Sequence, residues 1–95
     1  MLTYYVLYRG DHRDHPAGVF VMDAAHGHAM LWDHRRRAWT YNPGLAIRLL
    51  DDHRNFDRYE EVDRQTADQL VPGVTGGVPL PDEASIRSVF TEASG

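Results

Sequence analysis

Residues 2–9 read Leu-Thr-Tyr-Tyr-Val-Leu-Tyr-Arg, and this stretch decides the fold. Aromatic and β-branched residues dominate it, which predicts a β-strand. Successive side chains of a strand point to opposite faces of a sheet, so the stretch divides into two rows. Both rows are largely apolar, which is typical of a central strand covered on both faces. One row holds Leu2, Tyr4, Val6 and Tyr8, and the other holds Thr3, Tyr5, Leu7 and Arg9.

Three more strands are predicted after this one. Residues 17–22, Ala-Gly-Val-Phe-Val-Met, are again apolar in both rows, and residues 28–32 and 37–41 each carry one tryptophan. Short connections between consecutive strands favour antiparallel neighbours, so the four strands predict an antiparallel meander. The connections are a polar loop at 10–16, a turn at 23–27 and a hairpin tip at 33–36.

The region after the fourth strand predicts a helix that lies on the sheet. Asn42 is a suitable N-cap, and Pro43 is a suitable first helical residue. From Pro43 to Arg54 the apolar residues recur at helical spacing, which indicates an amphipathic helix. The apolar stripe holds Leu45, Ala46, Leu49, Leu50 and His53.

Four further segments complete the chain. Residues 56–62 are short and charged, as exposed edge strands often are. Asp63 is a suitable N-cap for a short helix over 64–71. Residues 72–81 contain three glycines and three prolines and predict a linker. Asp82 is then a suitable N-cap for a last helix.

The order of elements is β-β-β-β-α-β-α-α, which predicts an α+β fold. We expect a four- to five-stranded, mainly antiparallel sheet with helices packed on one face. Residues 1–71 are expected to form a single α+β domain and residues 72–81 a Gly/Pro-rich linker. Residues 82–95 are expected to form a C-terminal helix that docks on the same domain or on a partner.

The composition of the chain limits the kinds of protein to which it can belong. The chain has 95 residues, the usual size of one domain. It has no cysteine, which excludes disulfides and thiolate metal sites. The net charge of −4 disfavours binding to nucleic acid or to a membrane surface. All ten basic residues are arginine, which suggests a GC-rich bacterial genome. With neither a basic leader nor a long apolar run, the sequence predicts a cytoplasmic protein.

A sheet that is apolar on both faces needs a second cover, because monomers rarely expose a large apolar patch. The C-terminal helix is one candidate for that cover, and another chain is the other. Tyrosine and tryptophan are common anchors of interfaces, so the aromatic side chains are candidate contacts. The predicted interface residues are Tyr4, Tyr8, Trp32, Trp39, Ile86, Val89 and Phe90.

Six histidines in a chain of this length raise the possibility of a metal site. His12 and His15 lie in the loop at 10–16, and His26 and His28 lie at the start of the third strand. Imidazole and carboxylate ligands at such spacing suit zinc. In an antiparallel meander, however, the two pairs lie at opposite ends of the sheet, which argues against a single combined site.

Arg35, Arg36 and Arg37 form a basic run at the hairpin tip. The same topology brings this tip towards Asp11 and Asp14, which predicts a partly neutralised charge cluster. The alternative is a contact with an anion or a nucleic acid, with Trp39 and Tyr41 as stacking platforms. Those two residues share a face of their strand that is also expected to belong to the core.

The sequence contains no nucleophile elbow, no phosphate loop and no zinc-protease motif. It therefore assigns no catalytic residue and no cofactor, and it favours binding over catalysis. The leading hypothesis is a small bacterial cytosolic module, of an accessory, regulatory or immunity type, that binds another protein or a second copy of itself. A small metal-assisted enzyme using the loop histidines is the first alternative. Nucleic-acid binding through Arg35, Arg36 and Arg37 is the second.

Overall fold

The computed structural model describes residues 1–9, 12–51 and 59–94, with side chains for all of these except residues 9, 12–15 and 94. None of the helices in these ranges is both long enough and apolar enough to cross a bilayer. The strands are β1 (Thr3–Arg9), β2 (His12–Asp23), β3 (His28–Asp33), β4 (Ala38–Tyr41) and β5 (Tyr59–Val62). The helices are α1 (Pro43–Asp51), α2 (Arg64–Thr75) and α3 (Glu83–Ser94).

The strands form a single antiparallel sheet in the order β4-β3-β2-β1-β5. The α+β class, the five strands and the order of elements along the chain are confirmed. The two strands that are apolar in both rows, β1 and β2, lie inside the sheet, as their sequences predict. The charged strand β5 forms one edge, and its segment 56–58 lies outside the described residues.

The β1–β2 hairpin is longer than the sequence predicts. Tyr5 lies opposite Phe20 in regular pairing, and the register then shifts on both sides of Tyr8. Because pairing continues past these irregularities, β2 begins at His12 rather than at residue 17. Most of the predicted polar loop is therefore strand, which sequence periodicity does not show because bulges break the alternation.

The helices divide between the two faces of the sheet. Helices α2 and α3 cover the face that carries Tyr4, Val6 and Tyr8, and together they enclose the main core. Helix α1 lies on the opposite face, where Ala46 packs in a smaller core. Small side chains at Ala29 and Ala46 allow α1 to lie close to β3. The buried members of the main core are Tyr4, Val6, Tyr8, Val19, Val21, Met30, Trp32, Ala67, Val71, Val74, Leu80, Ile86 and Phe90.

Each helix begins at the N-cap that the sequence predicts. The Leu45 amide donates to Asn42 Oδ1 at 3.2 Å. The Thr66 amide donates to Asp63 Oδ1, and the Ser85 amide donates to Asp82 Oδ1, each at 2.7 Å. These bonds satisfy backbone donors that have no partner inside the first turn.

Helix α2 extends to Thr75, four residues beyond its predicted end at Val71. Pro72 lies inside it and removes one backbone donor. The helix continues because Val71 and Val74 both bury their side chains in the main core. It ends at Gly76, whose φ of 75° places it in the left-handed region that glycine adopts without strain.

The two aspartate N-caps predict how stability responds to acid. Hydrogen bonds from Thr66 lower the pKa of Asp63, and hydrogen bonds from Ser85 lower the pKa of Asp82. A carboxyl group whose pKa is lower in the folded state stabilises that state above its unfolded pKa of about 4. We therefore expect stability to fall as the pH drops from about 4 through the lower, folded pKa values.

The doubly substituted Asp63→Asn, Asp82→Asn variant tests this expectation. Asparagine accepts the same hydrogen bond at every pH, so the variant should lose less stability on acidification. Urea midpoints of both proteins between neutral and strongly acid pH provide the measurement. Equal acid slopes for the two proteins would show that the caps do not contribute to the pH dependence.

Candidate functional site

The predicted interface residues hold the molecule together internally. Ile86 is 0% exposed and Phe90 is 4% exposed, and both belong to the main core between α3 and the sheet of the same chain. Tyr4, Tyr8 and Trp32 are buried in the same core, and Trp39 and Val89 are half-buried against it. With α3 docked in this way, these side chains contribute to the core of their own chain, and their role as partner contacts stays a prediction.

The segment before α3 is fixed at several points. Trp39 Nε1 donates to the Pro79 carbonyl at 3.1 Å, and Arg64 Nη1 donates to the Pro81 carbonyl at 2.7 Å. The Arg64 guanidinium also lies over the Tyr4 ring, 5.5 Å from its centroid. Leu80 is buried in the main core. These contacts place α3 on its own domain, which is one of the two docking modes that the sequence predicts.

The three arginines of the hairpin tip are exposed. The amides of Arg35 and Arg36 both donate to Asp33 Oδ1, and Arg36 Nε lies 3.8 Å from Asp33 Oδ2. Arg37 has a φ of 54° and ends the turn in the left-handed region. Asp11 and the side chain of Asp14 lie outside the described residues, so the predicted neutralisation stays a prediction.

The predicted stacking platforms beside this tip are engaged elsewhere. Trp39 meets Trp32 edge-on with ring centroids 5.3 Å apart, and Tyr41 meets Phe90 edge-on at 6.0 Å. Both residues lie on the core side of β4. Nucleic-acid binding through the three arginines stays a prediction. The contacts of the Trp39 and Tyr41 rings within the core do not support their predicted role in stacking on bases.

The histidine pairs predicted as metal ligands lie apart in the chain, and the side chains of His12 and His15 are outside the described part. His26 and His28 do come together, with ring centroids 6.4 Å apart. Among the described side chains, no group of three or more histidines and carboxylates has the arrangement of a metal site.

His26 and His28 line an open cleft between the β2–β3 turn and α3. The cleft has a volume of about 320 Å³. His26 Nδ1 lies 2.9 Å from Asp23 Oδ2, and His28 Nδ1 lies 2.8 Å from the Tyr41 hydroxyl. The His28 ring stacks on Phe90 at 5.2 Å. We call this the histidine cleft; its lining residues are Asp23, His26, His28, Arg87, Phe90 and Thr91.

Asp23 is the carboxylate of the histidine cleft. Partial desolvation raises its pKa, but the hydrogen bond from His26 and the nearby positive charges outweigh that effect, and the net pKa is lowered. Those charges come from His26, His28 and the amino group of Met1, which lies 4.0 Å from Asp23 Oδ1. Asp23 is therefore ionised near neutral pH and holds the His26 ring in position.

A second candidate surface lies on the opposite face of the sheet. The Tyr5 ring stacks on Phe20 with centroids 4.9 Å apart, and Tyr59 meets Tyr5 edge-on at 6.0 Å. Leu7 lies over Gly18, where an added Cβ would come within 3.3 Å of Leu7 Cδ1. Tyr5, Leu7 and Tyr59 are all half-buried. We call these three residues the tyrosine patch.

The tyrosine patch lies beside a carboxylate. Glu61 is opposite Tyr5 in the β1–β5 pairing and is exposed. Burial, together with the charge of Glu61 and the neighbouring Tyr59, raises the pKa of the Tyr5 hydroxyl. The patch thus joins apolar ring surface, neutral hydroxyl groups and one negative charge. The sequence does not show which row of β1 the two C-terminal helices cover, so the predicted interface residues Tyr4 and Tyr8 belong to the other row.

No protein-family model, no curated protein and no solved structure matches this chain.

Proposed function

We propose that this chain is a protein-binding module that acts in a bacterial cytoplasm in an accessory, regulatory or immunity-type role. It binds a separate protein through the tyrosine patch. The observation that supports this proposal is the uneven cover of the sheet. In the described residues, α2 and α3 bury one face, whereas α1 packs mainly on β3 and β2 of the other face and leaves the patch only half-buried.

The patch has the composition and rigidity of an interface anchor. Tyrosine is enriched at interfaces because it combines a large apolar ring with a hydroxyl group. Tyr5 is held in place by its stacking on Phe20, and Tyr59 is held against Tyr5. Side chains that are already ordered lose little entropy when a partner binds.

Charge favours a basic partner. Glu61 borders the patch, and the chain carries a net charge of −4. Complementary charge at the rim of an interface accelerates association and excludes the wrong partners. We therefore expect the partner to present apolar side chains bordered by arginine or lysine.

A second copy of the chain fits this surface poorly. If two β5 strands paired antiparallel about their centre, Glu60 of each copy would lie opposite Glu61 of the other. Like charges directly opposite each other destabilise a strand pair. Charged edge strands also resist such pairing in general. These repulsions support a partner with a different sequence.

The experiment compares binding by Tyr59→Ser with binding by Val78→Ser. Val78 is also an exposed apolar side chain, at 38%, but it lies between α2 and α3. A protein is first captured from the native cell, and its affinity is then measured with purified components. We expect a basic protein whose affinity falls at least about 30-fold with Tyr59→Ser, as for an interface anchor. Val78→Ser should bind like the wild type.

Two further results decide the identity of the partner. Glu61→Arg should weaken binding, and added salt should reduce the wild-type affinity, if charge complementarity holds. Binding that is insensitive to Tyr59→Ser would rule out the patch. Sedimentation that shows a wild-type dimer dissociated by Tyr59→Ser would overturn the proposal of a separate partner in favour of a second copy.

A further inference from the structure

The histidine cleft brings together three basic side chains, those of His26, His28 and Arg87. Arg87 on α3 is exposed, and within the described residues its guanidinium has no carboxylate partner. The His26 side chain is 70% exposed. Thr91, one turn further along α3, donates its hydroxyl hydrogen to the Arg87 carbonyl at 2.8 Å. An unpaired guanidinium beside two imidazoles in a cleft is an arrangement suited to an anion.

The hydrogen bond to Asp23 fixes how His26 can act. An ionised carboxylate only accepts hydrogen bonds, so the His26 Nδ1 atom carries the hydrogen. The second ring nitrogen, Nε2, is then an acceptor when the ring is neutral and a donor when the ring is protonated. Protonation therefore converts His26 from an acceptor into a donor without breaking its contact with Asp23.

We propose that the histidine cleft binds a phosphate-type oxyanion, held by the Arg87 guanidinium and by protonated His26. The cleft volume of about 320 Å³ lies at the lower end of the range for small-molecule sites. The ligand class is therefore a small molecule that carries a phosphate group. This site lies on the face of the sheet opposite the tyrosine patch and does not depend on the proposed protein partner.

The charges that face the cleft set its pH dependence. Asp23 at the end of β2 is negative, Arg87 on α3 and the amino group of Met1 beside Asp23 are positive, and Tyr41 on β4 is neutral. With both histidines neutral, the Asp23 charge opposes those of Arg87 and the Met1 amino group, so the attraction for an anion is weaker. With His26 and His28 protonated, two more positive charges face the cleft. Protonation of either ring adds positive charge to the cleft, so we expect an anion to bind more tightly at acid pH than at alkaline pH.

The test titrates the full chain with sulfate, whose charge does not change in this range. Histidine ring and arginine side-chain resonances report the site directly. We expect saturable binding at pH 5.5 that is at least about tenfold weaker at pH 8.5, as for one lost charge-assisted hydrogen bond. Arg87→Gln should weaken binding at pH 5.5 at least about tenfold. The matched control Arg36→Gln removes the same charge from the exposed hairpin tip and should stay within about twofold of wild type.

Several outcomes would contradict the proposal that the histidine cleft binds an oxyanion. Equal losses in Arg87→Gln and Arg36→Gln would indicate attraction by overall charge alone. Binding that does not saturate, or that is the same at both pH values, would also contradict the proposal.

At pH 5.5, inorganic phosphate and phenyl phosphate then distinguish the sources of the oxyanion. Tighter binding of phenyl phosphate assigns the cleft to a phosphate ester with a ring, whereas equal binding assigns it to the phosphate group alone.

Discussion

A chain that ends at Gly77, and so lacks α3, is expected to lose its cooperative fold. The truncation removes Leu80, Ile86 and Phe90 from the main core. Loss of each such side chain costs about 2–5 kcal/mol. Together these losses are comparable to the whole stability of a typical domain, about 5–15 kcal/mol. Arg64 also loses the carbonyls of Leu80 and Pro81 as acceptors.

Tryptophan emission and sedimentation measure this result. Trp32 and Trp39 are the two tryptophans of the chain, and both lie on the side of the sheet that α3 helps to cover. We expect their emission to shift to the red and the truncated chain to bind a hydrophobic dye or to associate. A chain that ends at Thr91 is the control, because it keeps Ile86 and Phe90. A soluble monomer ending at Gly77 with native emission would contradict the expectation.

The sequence predicts this fold where local rules decide it. Residues 2–9 and 17–22 are apolar in both of their alternating rows. Strands that are buried on both faces of a sheet have this pattern, so the two segments indicate central strands. Asn42, Asp63 and Asp82 mark the starts of the helices, because a side-chain oxygen at an N-cap meets backbone donors a few residues away. All three starts are confirmed in the structure.

Local rules fail where distant segments decide the outcome. Pro72 and Gly73 favour a linker by residue type, yet burial of Val71 and Val74 in the main core keeps this segment helical. The two rows of β1 are similar in composition, so the sequence does not reveal that α2 and α3 cover Tyr4 rather than Tyr5. The predicted interface residues of β1 lie on the row that α2 and α3 cover, and their contact with a partner stays a prediction.

Local sequence patterns also predict only part of the histidine cleft. His26 and His28 are close in sequence, and their alternate positions at the start of a strand indicate a shared face. Arg87 and Phe90 come from a helix about 60 residues away, which no local pattern connects with the β2–β3 turn. The sequence therefore predicts that His26 and His28 lie together. Only the folded chain shows that the Arg87 guanidinium lines the same cleft and makes it suited to an anion rather than a metal.

Substitution of Phe20 by alanine is expected to lower the free energy of unfolding by about 3–5 kcal/mol. Phe20 is 0% exposed, although it lies in the smaller core beneath α1. Among the described residues, the other buried members of that core are Met22 and two alanines, Ala29 and Ala46, so little can move into the space left by the ring. Tyr5 also loses its stacking partner, an interaction worth about 0.5–1.5 kcal/mol beyond burial.

Phe20→Leu is the matched control, because it removes the ring but keeps most of the apolar volume. Urea unfolding should show less than half the destabilisation of Phe20→Ala. A double-mutant cycle with Tyr5→Leu should return a coupling of about 0.5–1.5 kcal/mol between the two rings. A cost below about 1.5 kcal/mol for Phe20→Ala would show that the second face has no effective core. Tyr5 would then lack the rigid base that makes it an anchor for a partner, so this stability measurement bears directly on the proposed binding surface.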